Sequence, residues 1–151
     1  MMKIGIAADH GGFELKELIK KSLQDHFEIT DFGADSYDAQ DDYPDFVQPL
    51  AEAVAQNKVE RGIAICGSGI GACIVANKIQ GVRAALINET YSAHQGVEHD
   101  DMNIICIGAR VVGDVYAMEL IHAFLNAGYT GEERHARRLT KLKNIEDRNT
   151  K

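Results

Sequence analysis

Several features are scarce in this chain of 151 residues, which has no tryptophan, two prolines and three cysteines. No apolar run approaches the roughly 20 residues that a membrane-spanning helix needs. The N-terminal residues lack the long apolar core that a secretion signal carries. An odd, small number of cysteines without such a signal argues against a framework of disulfide bonds. We therefore expect a cytoplasmic protein with reduced thiols and no membrane association.

Basic residues are in the minority, with 16 lysines and arginines against 23 aspartates and glutamates and a net charge of −7. This balance argues against a general affinity for nucleic acid or acidic membranes. The 45% hydrophobic and 26% charged residues are ordinary globular proportions, and the length suits one domain. Residues 132–151 nevertheless carry a net +3. This basic tail is typical either of a solvated helix face or of a site for an anion.

Short apolar segments alternate with amphipathic segments along the chain. The apolar segments predict five strands, over Lys3–Ala8, Phe27–Phe32, Gly62–Cys66, Val82–Ile87 and Asn103–Ile107. Helical spacing predicts helices over Phe13–His26, Phe46–Asn57, Gly71–Lys78, Tyr91–Val97 and Val115–Ala127, and a last one from Glu132. The alternation predicts a Rossmann-like three-layer α/β/α fold with a five-stranded parallel sheet, as one domain over residues 1–151 that ends in a basic C-terminal helix over 132–151.

Ligands of such folds bind where the chain leaves the carboxyl ends of the strands. The polar or glycine-rich segments at these positions are Asp9–Gly12, Asp41–Pro44, Cys66–Gly71 and Gly108–Arg110. The glycine loop, defined here as Gly67, Ser68, Gly69, Ile70 and Gly71, would present backbone N–H groups to an anion. A tight turn that needs glycine only for its geometry is the alternative.

Extended to Ala72, the glycine loop also satisfies a loose dinucleotide-binding pattern, GxGxxA. Glu89 then falls near the distance at which an acidic residue holds a ribose hydroxyl. That pattern belongs on the first βα turn, whereas here it follows the third predicted strand. A nucleotide-binding module without catalysis stays an alternative on this basis.

Cys66 directly precedes the glycine loop, whose N–H groups favour a thiolate that could act as a base or a nucleophile. A phosphatase nucleophile needs an arginine six residues later, where Ala72 stands. A thiolate that removes a carbon-bound proton beside oxyanion-binding N–H groups suits the enolisation of a carbonyl substrate. Cys73 and Cys106 are expected to be buried core residues.

Histidines and arginines later in the chain add acid–base and anion-binding groups. A spacing of five residues places His94 and His99 off a common helix face, so we expect no metal site and favour His99 as an acid or base. Arg110, together with Arg134, His135 and Arg138 in the tail, offers donors suited to a phosphate. The substrate is therefore expected to be a phosphate ester.

Six segments resemble the ribose-5-phosphate isomerase B family: AADHGGFELK, DYPDF, ICGSGIGACIVANKIQGVRAAL, HDDMN, GARVVG and RHARR. Together they span nearly the whole chain. The resemblance implies isomerisation of ribose 5-phosphate and ribulose 5-phosphate through a cis-enediolate, as in the non-oxidative pentose phosphate pathway, without metal or nucleotide. It also implies a Rossmann-like homodimer, with pairing into tetramers left open, whose active site takes residues from both chains.

The resemblance implies a role for each matching residue. Cys66 would move a proton between C1 and C2, with the glycine loop around the enediolate and Ser68 assisting. His99 with Asp9 would open the furanose ring, and Tyr43 would line the sugar site. The phosphate would be held by His10, Arg110, Arg134 and Arg138. A second subtype of the family has a glutamate base where Ala72 stands, which indicates the cysteine subtype here.

One position departs from the family pattern. After the histidine the family usually has an asparagine that donates toward the reacting oxygens, whereas Asp100 stands there in this sequence. An ionised carboxylate cannot donate and would oppose the charge of an enediolate. The departure leaves open a hexose 6-phosphate, such as allose or galactose 6-phosphate, as the substrate.

Overall fold

A computed structural model, which describes residues 1–149, has strands and helices in the predicted alternating order. The strands are β1 (Lys3–Ala8), β2 (Glu28–Asp31), β3 (Arg61–Cys66), β4 (Ala84–Leu86) and β5 (Ile104–Gly108). The helices are α1 (Phe13–Leu23), α2 (Pro44–Ala55), α3 (Ile70–Ala76), α4 (Thr90–Asp100), α5 (Asp114–Asn126) and α6 (Glu133–Asn149). The prediction of a three-layer α/β/α fold with a five-stranded sheet and a C-terminal helix is confirmed.

All neighbouring strands are parallel, in the order β2-β1-β3-β5-β4. The chain runs from β1 outward to β2 and then returns past β1 to β3, so the direction of winding changes between β1 and β3. Crevices at such switch points, outside the carboxyl ends of the strands, bind ligands in open α/β sheets. The topology therefore selects the loops after β1 and β3 for the site.

Two apolar clusters cover the two faces of the sheet. One contains buried residues of α1, α4 and α5, among them Leu15, Val97 and Phe124. The other contains buried residues of α2 and α3, among them Leu50 and Ala72. The central strands β1, β3 and β5 are buried almost continuously, as parallel strands covered on both faces are.

The boundaries of several elements differ from the sequence prediction. The edge strands β2 and β4 have four and three residues, because each has a strand on one side only and its flanking apolar residues belong to turns. Helix α1 ends at Leu23 rather than His26. Helix α4 continues beyond the predicted Val97 to Asp100, where Asp101 in a left-handed conformation (φ 52°) ends it.

The predicted C-terminal helix is present as α6, from Glu133 to Asn149. The last two positions of the predicted tail, 150 and 151, lie outside the described residues. None of the helices within residues 1–149 combines the length and the hydropathy that crossing a bilayer requires.

Candidate active site

The loops after β1, β3 and β5 pack against one another at the carboxyl edge of the sheet. The backbone N–H of Ala109 donates to the carbonyl of Cys66 at 2.9 Å, and that of Arg110 donates to the carbonyl of Gly67 at 3.0 Å. On the opposite side, a Cβ atom on Gly11 would lie 3.0 Å from the backbone nitrogen of Gly67. The three loops therefore surround the first residues of the glycine loop.

The glycine loop has residues without side chains at the positions where other groups approach its backbone closely. Gly69 has φ +79°, and a Cβ atom there would lie 2.9 Å from the backbone nitrogen of Gly108, so a tight turn accounts for this glycine. A Cβ atom on Gly71 would lie 2.6 Å from the ring of Tyr43, and one on Gly67 would lie 3.2 Å from Nη1 of Arg110. Turn geometry does not explain these two glycines, which admit a phenol and a guanidinium to the loop.

Cys66 ends β3 with its thiol turned toward this loop. The residue is 5% exposed, and its Sγ accepts the backbone N–H of Gly69 at 3.1 Å. The hydroxyl of Ser68 accepts the N–H of Ile70 at 3.3 Å. The backbone of the glycine loop therefore fixes the position of the Cys66 sulfur.

The loop after β1 brings two more predicted residues to the cleft. Asp9 is buried, and its Oδ1 accepts the N–H of Gly11 at 2.9 Å. Nδ1 of His10 lies 2.7 Å from Oδ1 of Asp41. This hydrogen bond raises the pKa of His10 above its ordinary value, Asp9 adds to the effect, and burial and Arg110 oppose it.

Sequence reasoning did not assign a site role to Asp41. It belongs to the loop between β2 and α2 and lies 31 residues from His10, so no spacing rule connects the two. Single ligand atoms of Asp9, His10 and Asp41 lie within 4.8 Å of one another, a geometry that could hold a metal ion. The 2.7 Å distance between Nδ1 of His10 and Oδ1 of Asp41 is that of a charge-assisted hydrogen bond. We therefore interpret these two residues as an ion pair.

The remaining predicted residues form a second cluster where α4 ends and α6 begins. The rings of His99 and His135 stack with their centroids 3.9 Å apart, and Nδ1 of His99 lies 2.9 Å from Nε2 of Gln95. Burial lowers the pKa of His135, and the neighbouring His99, Arg134 and Arg138 lower it further. Sequence reasoning grouped His135 with Arg134 and Arg138 as a phosphate donor, and the structure instead stacks its ring on His99.

One chain does not bring the two clusters together. Helix α4 returns to the amino edge of the sheet, because β5 begins at Ile104, shortly after Asp100. Ile104 pairs with Gly62, and Gly108 pairs with Cys66, so four residues of strand, about 13 Å, separate the two edges. His99, Asp100, Arg134 and Arg138 thus lie at the opposite end of the sheet from Cys66.

One cavity lies away from Cys66 and the glycine loop. It has a volume of about 720 Å³ and lies between α6, β4 and α4, where Leu142, Ile145 and Asp100 line it. A cavity of about 160 Å³ lies beside His10. His10 is the predicted site residue that lines this smaller cavity.

Two sequence expectations change with the structure. Glu89 directly precedes α4, and both of its carboxylate oxygens lie 3.0 Å from the N–H of Ser92, so the residue suggested for a ribose contact is a helix cap. Cys106 is fully buried as expected, but Cys73 is only partly buried because it lies on the short helix α3 above the edge strand β4. A hydrogen bond from the Cys106 thiol lowers the pKa of Cys73 to about 7.

Comparisons with known proteins agree with this architecture. The family model described as Ribose/Galactose Isomerase matches residues 4–142. The solved ribose-5-phosphate isomerase B of Clostridium thermocellum is 43% identical, with a TM-score of 0.94 and coverage of 99% of this chain and 100% of that one. The ribose-5-phosphate isomerase B of Mycoplasma genitalium, solved with bound ribulose-5-phosphate, is 39% identical, with a TM-score of 0.91 and coverage of 97% of both chains.

A relative named for another activity matches equally well in sequence. The D-erythrulose-4-phosphate isomerase of Pectobacterium atrosepticum is 42% identical over 132 residues, which are 87% of each chain. The names of these relatives share the isomerisation of a sugar phosphate and differ in the sugar. The chain therefore belongs to the ribose/galactose isomerase family and is a sugar-phosphate isomerase.

Proposed function

We propose that the protein interconverts ribose 5-phosphate and ribulose 5-phosphate with Cys66 as the base. The observation that carries this proposal is the buried Cys66 thiol, which accepts an N–H of the glycine loop while Arg110 and Tyr43 close on the same loop. The bound ribulose-5-phosphate of the Mycoplasma genitalium relative supports the choice of sugar.

The reaction needs only proton transfers. In the open-chain aldose, the Cys66 thiolate removes the proton on C2, and the electron pair of that bond forms the C1–C2 double bond as the C1 carbonyl oxygen becomes an oxyanion. Amide groups of the glycine loop stabilise this cis-enediolate. The hydroxyl proton on O2 moves to O1, and the thiol returns its proton to C1, which yields the ketose. No electron leaves the substrate, so the chemistry requires no redox partner.

The charges of the cleft suit the two ends of the substrate. His10 and Arg110 supply cationic donors for the phosphate, and Asp9 supplies a buried carboxylate for opening the furanose ring with His99. Tyr43 covers the glycine loop on the sugar side. Three free cysteines fit a reducing compartment such as the cytoplasm.

The placement of His99, Arg134 and Arg138 far from Cys66 supports a homodimer in which these residues complete the partner's site. The side chains of Ile70 and Ile74 on α3 are also exposed, at 53% and 56%. Apolar groups exposed beside a catalytic loop favour coverage by another protein surface. A second copy of this chain would supply both that cover and the missing groups.

A spectrophotometric isomerisation assay tests the substrate. Ribose 5-phosphate, D-erythrulose 4-phosphate and allose 6-phosphate are compared side by side with the purified protein. We expect kcat/KM for ribose 5-phosphate to exceed that for the other two by at least about tenfold, the equivalent of about 1.4 kcal/mol in the transition state. A higher kcat/KM for either of the others would overturn the assignment.

D-erythrulose 4-phosphate is the second candidate substrate, because of the 42% identical relative and because Asp100 occupies the position of the family asparagine. The variant Asp100→Asn separates the two candidates. If ribose 5-phosphate is the substrate, the variant keeps the same ranking of the three sugars. If ribose 5-phosphate ranks first in the variant but not in the wild type, Asp100 makes the wild type prefer D-erythrulose 4-phosphate.

A further inference from the structure

Asp41 controls the position of the His10 side chain. Its Oδ1 accepts the backbone N–H of His10 at 2.9 Å and lies 2.7 Å from Nδ1 of the imidazole. The pair joins the loop after β2 to the loop after β1. Because Nδ1 is occupied by Asp41, Nε2 is the ring nitrogen that can serve a ligand.

We propose that Asp41 is a positioning residue, whose carboxylate holds the His10 imidazole in one orientation and in its cationic form so that Nε2–H is donated to the substrate phosphate. The inference rests on the proposed function, in which His10 and Arg110 bind that phosphate. Asp41 itself acts through His10 and does not touch the reacting carbons.

The burial of Asp41 supports a functional role. Its side chain is only 9% exposed, and among residues 1–149 its Oδ2 has no hydrogen-bond partner. Leaving a carboxylate oxygen buried and unpaired is unfavourable, so packing alone does not account for this residue. Through Oδ1, the buried carboxylate of Asp41 stabilises the adjacent His10 cation.

The other groups around His10 also favour the imidazolium. The hydrogen bond with Asp41 is the largest cause of the raised pKa of His10. The charge of Asp9 also raises this pKa, whereas burial and the charge of Arg110 lower it. The rings of Tyr37 and His10 form a T-shaped pair with a centroid distance of 6.3 Å. The remaining titratable groups that line this cavity are Glu14 and Asp114. Phosphate affinity through His10 is therefore expected to be lost as pH rises through this raised pKa.

A titration of His10 by NMR tests the pair without relying on activity. The ring signals are followed against pH in the wild type, in Asp41→Asn and in the matched control Asp42→Asn, which neutralises the exposed neighbour. We expect the pKa of His10 to fall toward its ordinary value in Asp41→Asn only. An unchanged pKa in Asp41→Asn would overturn the proposal.

Kinetics test whether the pair serves phosphate binding. Loss of a charged hydrogen bond predicts that Asp41→Asn raises KM for ribose 5-phosphate by about tenfold near neutral pH with kcat nearly unchanged. In a His10→Asn background, Asp41→Asn should add no further increase, because both changes remove the same contact. Equal KM increases in both backgrounds, or an increase that does not vary with pH, would overturn the positioning role.

Failure of this inference is distinguishable from failure of the proposed function. If no sugar phosphate turns over, the His10 titration and the binding of inorganic phosphate to the wild type and Asp41→Asn still decide whether Asp41 holds a phosphate-binding cation. Equal phosphate affinity in both proteins would contradict it. Should Asp41→Asn fail to fold, Asp41→Ser, which keeps a short acceptor, replaces it in all three measurements.

Discussion

Three thiols lie between α3 and the sheet in three different environments. Cys66 accepts an N–H of the glycine loop. Cys106 is fully buried, and its hydrogen bond to Cys73, together with burial, raises its pKa well above the ordinary value. The same contact lowers the pKa of Cys73, which is half-buried, to about 7. Of the two cysteines without a proposed catalytic role, Cys73 is therefore the one with a reactive thiolate.

This difference predicts unequal alkylation. At pH 7.5, iodoacetamide should modify Cys73 faster than Cys106, because thiolate and access are both required, and peptide mass spectrometry would give the two rates. The difference should vanish in guanidinium chloride, where both thiols are exposed. Faster modification of Cys106 in the folded protein would contradict the assignment of the thiolate to Cys73.

At the scale of elements, a buried lysine joins α1 to the edge strand β2. Lys16 is fully buried, and its Nζ donates to Asp31 at 2.7 Å and to Glu17 at 2.8 Å. Lys20 also donates to Asp31. Burial by itself would raise the pKa of Asp31, but the hydrogen bonds from Lys16, Lys20 and the N–H of Gly33 outweigh it and hold that pKa below its ordinary value.

The lowered pKa makes the attachment of β2 sensitive to acid. Stability from ionised Asp31 is fully present above the pKa of an unfolded aspartate, near 4, and is lost as pH falls through the lower folded-state pKa. Asp31→Asn should therefore reduce the free energy of unfolding by about 3 kcal/mol at pH 7 and by much less at pH 2. Urea unfolding at both pH values measures this, with the exposed Asp25→Asn as control. An equal loss at both pH values would contradict the ion pair.

Patterns along the chain predicted which strands and helices form better than they predicted how these elements pack against one another. Branched apolar residues indicated every strand, yet β4 spans only Ala84–Leu86 because its length depends on pairing with β5. Lys16 looks like a surface residue in sequence, since nothing local shows the carboxylates that neutralise it. The contacts of Asp41 with His10 and of His99 with His135 join separate loops or helices, and no local spacing encodes them.

The whole molecule carries two separate sets of proposed site residues. Cys66, Asp9, His10 and Arg110 lie at the carboxyl edge of the sheet, whereas His99 and the arginines of α6 lie toward the amino edge. The strands that separate these edges are rigid elements of the core, so motion within one chain cannot merge the sets. In the proposed homodimer, two-fold symmetry would let each chain give one set to its partner and receive the other.

A mixing experiment tests this division. Cys66→Ala and His99→Ala are expected to be inactive alone. Refolded together, they should recover about a quarter of wild-type activity, because half of the random dimers are mixed and each has one intact site of two. A mixture of Cys66→Ala and Arg110→Ala should recover nothing, since both changes affect the same set. Recovery in neither mixture would contradict the shared site.

The most direct test of the proposed chemistry is the initial rate of ribose 5-phosphate isomerisation by the wild type, Cys66→Ala and the matched thiol variant Cys73→Ala, with folding checked by circular dichroism. Removal of the base in Cys66→Ala should lower kcat roughly 10²–10⁴-fold without unfolding the protein, whereas Cys73→Ala should stay within about twofold of the wild type. A folded Cys66→Ala that keeps most of the activity would contradict the account.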